Sequence, residues 1–290
     1  MDYHQDRFED FSLMVFEKDK LVALVPANRV GNEIHSHQGL SYGGILLQQN
    51  SGFAEVLQVF KSTLSYLVKM SVEFLHLKLV PKIYHKLPSD EIDYLLFLIN
   101  AKLTRRDLSE TICLNKKNGI SSNRKRGLKK AHKNRLFVNE TETFDDFWNH
   151  VLIPNLQRKF GISPVHSLEE IKSLKSKFPR QIRQFNVYND LEVVAGVTIF
   201  ETEMVAHAQY ISADENKQLL GSLDIAFDYL INEVYKNKPY FDFGISNEQQ
   251  GKIINLGLLS WKESFGGSPI IHDFYEIQTS NYSLLDDVLK

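Results

Sequence analysis

A repeat at a spacing of 172 residues limits what this 290-residue chain can fold into. "VFEKDKLVALV" at 15–25 falls without a gap on "VYNDLEVVAGV" at 187–197. Val15, Val22, Ala23 and Val25 meet identical residues, Phe16 meets Tyr188, and at the same shift His35 falls on His207. Both segments place apolar runs around a polar turn, the pattern of a half-buried hairpin. Any two hairpins share some of this patterning, but here the elements that follow also agree in order. The first half predicts a helix near 53–69, a strand at 71–80, a helix near 90–100 and a strand near 102–114. The second half predicts strands at 182–188, 192–200 and 204–212, a helix at 219–235, a strand at 240–246, a helix at 249–264 and a strand at 270–277.

The second half also carries elements ahead of its hairpin. A short strand is expected at 136–140 and a helix at 143–160, ended by Gly161. A second helix opens on Ser167 and Glu170 at capping-box spacing and is stopped by Pro179. The full order is β-α-α-β-β-β-α-β-α-β. Subtracting 172 from 136 puts the matching start of the first unit 36 residues before the numbering begins. The first unit is therefore expected to lack its first strand and helix, with residues 1–10 as the tail of its second helix. The predicted division is 1–119, a basic linker helix at 120–135, and 136–290.

Charge is distributed unevenly. The chain has 34 Lys and Arg against 36 Asp and Glu, a net −2, yet residues 116–135 hold nine basic residues and no acidic one. Arg126, Lys129, Lys130 and Lys133 share one face of the predicted helix. That face is either solvated or turned to a compact anion: a nucleotide diphosphate, a lipid-linked phosphate or a tRNA acceptor end, since Arg forks and Lys point charges suit phosphate. The segment has no aromatic residues, which argues against duplex DNA as the partner. The lone Cys113 cannot form an internal disulfide. "MDYHQDRFED" is too charged for a signal peptide, and the longest apolar run, near 94–99, is far short of the roughly 20 residues that span a bilayer. A cytoplasmic protein that does not span a membrane is expected.

The element order, doubled and joined by a basic helix, resembles the FemAB-like transferases and the related BioF2-like acetyltransferase domain, which are built from tandem GNAT (acyl-CoA N-acyltransferase) units. Three local features carry the likeness: Arg124-Lys125-Arg126 followed by Lys129-Lys130-Ala131, "SHQGLSYGG" at 36–44, and "WKESFGG" at 261–267, similar to the family's F-K-x-x-F-G with Trp261 in place of Phe. The resemblance covers nearly the whole chain. It implies an α/β fold of two GNAT-like units with mixed sheets. It also implies an acyl- or aminoacyltransferase acting on a primary amine of a phosphate-bearing sugar or peptide, as in cell-envelope or polysaccharide biosynthesis. The donor it implies is acyl-CoA or, as in several FemAB-type members, aminoacyl-tRNA.

Candidate site residues follow. In a GNAT unit the pyrophosphate of the donor rests on backbone N–H groups at the start of a long helix, behind a Q/R-x-x-G-x-G/A signature. Gln218, Gly221 and Ser222 lie in such a stretch, although Leu223 stands where a small residue belongs. The alternative is an ordinary helix start with Gly221 packed against the sheet. Asp242 and Glu248 lie on and just after a predicted strand, where ligands of open α/β sheets gather. Either could serve as general base to an amine; Glu248 could equally be a first-turn residue favouring the helix dipole. Lys262 matches the lysine of the family motif, which implies contact with an anionic substrate, the alternative being a solvated lysine. His35 and His37 form an H-x-H pair on one face of a presumed strand. Zinc would need two further ligands, and Cys113 and His207 have no motif spacing to them, so no metal is expected. His37, Tyr42 and Gly43-Gly44 are expected to line a pocket of the first unit. No residue announces a covalent nucleophile. The rival reading is a non-catalytic binding module that kept the fold and lost the donor site.

Overall fold

The computed structural model describes residues 6–289. The chain forms two compact units: the first takes residues up to Asp107 with Gln249–Lys252 and Ile271–Lys290, the second Leu108–Glu248 with Ile253–Ile270. Residues 271–290, placed from sequence with the second unit, thus cluster with the first.

In the first unit, Leu13–Glu17 and Lys20–Val25 make the hairpin expected from the repeat, and Leu46–Leu47 adds to its edge. A second sheet runs Glu9–Asp10, Asn28–Val30, Glu33–His35, Phe74–Lys78 and then residues 271–278 of strand Ser268–Gln278. Helix Phe53–Lys69 covers it, burying Val56, Leu57, Phe60, Leu64 and Leu67 at the three- and four-residue spacing of one helical face. Ile34, Leu75, Leu77, Leu95, Leu96 and Ile277 complete that core. Residues 9–10 are a strand and not a helix tail; residues 1–5 of that expectation lie outside the described residues.

In the second unit the strand order is Phe137–Thr141, Ile182–Asn189, Glu192–Glu201, Val205–Ala213, Tyr240–Ile245 and residues 108–113 of strand Lys102–Cys113. All neighbours are antiparallel except Val205–Ala213 with Tyr240–Ile245. The Ser167/Glu170 capping box forms as predicted, and Gly161 ends the preceding helix with φ +65°. That helix widens into a π turn over Trp148–Leu152, just before Pro154, which has no N–H to give to the preceding turn. Phe227, Phe241, Phe243, Trp261 and Phe265 form an aromatic cluster with ring centroids 5.0–6.0 Å apart. The helix predicted at 249–264 is instead a small hairpin, Asn247–Glu248 with Ile253–Ile254, followed by helix Leu256–Glu263. Gln249, Gln250 and Gly251 all take positive φ there, which excludes a helix.

The basic segment is helix Ser122–Lys133, capped by the Ser121 hydroxyl. Its buried face, Gly127 and Ala131, lies against helix Ser222–Tyr229. Two glycines set that approach: a Cβ on Gly221, at φ +76°, would sit 2.2 Å from the Gly127 carbonyl oxygen, and one on Gly127 would sit 2.2 Å from the Asp224 carboxylate. Gly221→Ala should therefore cost about 2–4 kcal/mol, from overpacking and a left-handed backbone together. Urea unfolding measures this; a loss below about 0.5 kcal/mol would mean that the two helices do not pack this closely.

Candidate functional site

The parallel pairing of Val205–Ala213 with Tyr240–Ile245 ends after three steps, the last being His207 opposite Asp242. At this fork Asp242 is wholly buried. Its Oδ1 accepts hydrogen bonds from Ser109 Oγ at 2.7 Å and Thr111 Oγ1 at 2.8 Å, and its Oδ2 lies 2.6 Å from His207 Nδ1. The alternation of the 108–113 segment brings Ser109 and Thr111 to the same face, two residues apart. Burial by itself would push the Asp242 carboxyl up. The bond to His207 and its charge, with the two hydroxyls, outweigh it and hold the group at about 2. An ionised Asp242 only accepts, so His207 donates to it from Nδ1, and that bond orients the ring. Carboxylate, imidazole and orienting hydroxyls make an acid–base pair whose tautomer is fixed by a buried partner.

One extra residue in the strand shapes the same end. Between Asp242 and Ile245 the strand advances three residues while its partner advances two, from Thr111 to Ser109. The bulge puts Gly244 at φ +77° and turns the carbonyls of Gly244 and Ile245 toward Lys262. Lys262 Nζ donates to them at 2.7 and 2.6 Å and lies 3.8 Å from Glu110 Oε2. Burial pushes the ammonium down to about 8 against the opposing pull of Glu110 and Asp242. Burial likewise raises the Glu110 carboxyl, opposed by its bond from Ser246 and by Lys262. Lys262 thus points inward and holds the bulge. The rest of "WKESFGG" packs around it: Trp261 and Phe265 belong to the aromatic cluster, and a Cβ on Gly267 would press on Glu110 and the Lys262 carbonyl.

Of the residues singled out from sequence, Asp242 and Lys262 meet at this fork. Glu248 is exposed, on the small hairpin, where it accepts from Asn255 Nδ2 at 2.9 Å. Gln218, Gly221 and Ser222 form a different surface, and it does not suit a pyrophosphate. Gly221 is closed by the Gly127 carbonyl, and Ser222 is fully buried. The first turn already holds an anion, since Asp224 pairs with Arg124 at 2.8 Å. Lys130 donates to the Gln218 carbonyl at 2.9 Å, whereas Arg126 and Lys129 lie on the exposed face.

His37 and Tyr42 lie in the first unit. His37 is buried but leaves the strand, at φ +48°, so it shares no strand face with His35. It lines a cavity of about 390 Å³ with His35, His76, Lys78 and Arg105. Tyr42 hydrogen-bonds Tyr84 through the two hydroxyls. The 36–44 loop is tied down by Lys78, whose Nζ donates to the Leu40 carbonyl at 2.5 Å and whose N–H donates to Ser36 Oγ at 2.7 Å. A second cavity of about 520 Å³ opens beside the start of helix Phe53–Lys69, between residues 44–51 and 79–93.

Breaking the buried Lys262–Glu110 pair from one side should be costly. Lys262→Met alone is expected to lose about 3–5 kcal/mol, because Glu110 is left charged and buried. Adding Glu110→Gln should return at least about 1 kcal/mol of that loss. A double-mutant cycle in guanidinium reads both; purely additive losses would show that the two groups are not coupled.

Comparison with solved structures finds FemX at TM-score 0.64 and 9% identity, over 92% of this chain and 88% of that one. L-PGS from Bacillus licheniformis aligns at TM-score 0.61 and 11% identity, over 96% and 87%. The C-terminal domain (DUF2156) of a candidate lysylphosphatidylglycerol synthetase from Agrobacterium fabrum aligns at 0.54 and 8%, over 95% and 87%. No protein-family model and no curated protein sequence matches the chain. Among the described residues no helix is long and apolar enough to cross a membrane. The chain therefore shares its fold with FemX and L-PGS, in line with the fold that the sequence resemblance implied.

Proposed function

We propose that the protein is an aminoacyl- or acyltransferase in which His207 is the general base and Asp242 its positioning partner. The observation that carries this is the 2.6 Å bond between His207 and a buried, ionised Asp242 at the point where two parallel strands part. In this reading the primary amine of a sugar- or peptide-borne acceptor, itself phosphate-bearing, attacks the carbonyl carbon of the donor. A carbon–nitrogen bond forms, the amine proton passes to the His207 ring, and the donor carbon–oxygen or carbon–sulfur bond breaks. The leaving hydroxyl or thiol recovers the proton. Asp242 stabilises the transient imidazolium without taking its proton.

The donor favoured is an aminoacyl ester on tRNA. The helix start at Gly221, where a CoA pyrophosphate would lie in a GNAT unit, is closed by helix Ser122–Lys133. The outer face of that helix, with Arg126, Lys129 and Lys133, is exposed and basic, which suits the phosphates of an acceptor end.

Aminoacyl-tRNA and acyl-CoA are to be offered separately, with amino-sugar nucleotides and peptides as acceptors, and products read by mass spectrometry. Wild-type protein is expected to transfer from aminoacyl-tRNA. His207→Ala should reduce the rate about 10²–10⁴-fold, the range for loss of a general base. Full activity in His207→Ala would remove the base assignment. Faster transfer from acyl-CoA would reverse the choice of donor. Binding of an acceptor without transfer from either donor would favour a non-catalytic module.

A further inference from the structure

We infer that the first unit contains a divalent-metal site, suited to zinc, formed by Glu33, His35 and His76. Glu33 and His35 are two residues apart on one strand and so share a face. His76 stands opposite His35 on the adjoining parallel strand. The three side chains converge on one point: Glu33 Oε2 lies 2.9 Å from His76 Nε2 and 3.7 Å from His35 Nε2. One ligand atom from each residue falls within 4.8 Å of the other two.

These spacings bracket what zinc needs. Zinc–nitrogen and zinc–oxygen bonds of about 2.0–2.2 Å put ligand atoms at tetrahedral corners roughly 3.3–3.5 Å apart. The two imidazoles are stacked, with centroids 4.4 Å apart and planes 10° from parallel. Binding one ion requires both rings to turn well out of that stack, because each Nε2 lone pair lies in its ring plane; the titration below therefore tests whether the side chains can make that rotation. Two imidazoles and a carboxylate select zinc over magnesium or calcium, which prefer oxygen ligands throughout.

The set is also open on one side. Three protein ligands leave a fourth position, as in zinc sites that take water or substrate. His35 and His76 both line the cavity of about 390 Å³, whose wall includes Lys78 and Arg105. An ion here would present its free position to that cavity, where an oxygen ligand such as a carboxylate or phosphate could complete the tetrahedron. The backbone around the site is already fixed: residues 28–30 pair with 33–35, and Ser36 N–H donates to the His76 carbonyl at 2.8 Å. Metal binding would therefore order side chains and not chain.

The test is titration of tag-free, chelator-treated protein with cobalt(II) and then zinc, following the visible cobalt bands and competition with a chromophoric chelator. A single cobalt ion should bind with the intense visible bands of tetrahedral geometry and be displaced by zinc. His35→Gln and His76→Gln should each weaken zinc by more than the roughly 10–100-fold that loss of an outer-shell partner costs. Glu33→Gln is the milder variant, should either histidine change disturb folding. His150→Gln and Cys113→Ser should leave the titration unchanged. Absence of a tetrahedral cobalt spectrum in folded wild-type protein would overturn the proposal. So would unchanged zinc binding in a folded His35→Gln or Glu33→Gln variant.

Discussion

A charged carboxylate with no exposure to water is the constraint on which the second unit turns. Removing Asp242 from water costs several kcal/mol unless its lone pairs are satisfied. Ser109, Thr111 and His207 do this, delivered by two features of the sheet. Alternation along the 108–113 segment brings both hydroxyls to one face. The short parallel pairing brings the imidazole, and it stops at the pair itself. If the strands continued in register, the imidazole edge would lie under the sheet. Because they part, a polar pair is held rigidly at the mouth of the fork.

The neighbouring bulge answers the same need in a different way. Its turned carbonyls at Gly244 and Ile245 want a donor, and Lys262 supplies one from a helix. Lys262 in turn needs a counter-charge, which Glu110 provides. The result is two pairs side by side, Asp242 with His207 and Glu110 with Lys262, their carboxylates on adjoining strands. Such a layer is rigid because removing one member strands another. Rigidity of this kind is what a site for proton transfer requires, since a general base must meet its proton at hydrogen-bond distance.

Much of the fold was legible because periodicity reports burial directly. Helix Phe53–Lys69 and the Ser167 capping box both follow from local patterns. The stretch 249–264 was misread because Gln249 and Gln250 carry no turn signature; their positive φ is imposed by the hairpin around them. His37 was misplaced for a similar reason, since the 36–44 loop folds back under Lys78, a contact between residues 38 positions apart. At the site, Asp242 stood out as a charged residue on a predicted strand, and Lys262 through its place in the "WKESFGG" motif. Ser109, Thr111 and Glu110 did not, because a strand of mixed polarity reads as a surface strand until its partners are known. The one signal for His207 was its register with His35 in the repeat, and that carried position without chemistry. Gly221 shows the opposite error: a motif-like glycine whose freedom is spent on close helix packing.

The claim at the centre of this account is that ionised Asp242 fixes His207 with its proton on Nδ1. Long-range proton–nitrogen correlation spectra of the histidine side chains measure this directly. For neutral His207 the account predicts the Nδ1–H tautomer, with a strongly deshielded Nδ1 proton that disappears in Asp242→Asn. A His207 ring in the Nε2–H tautomer, or one that keeps the same spectrum when Asp242 is replaced, would contradict it.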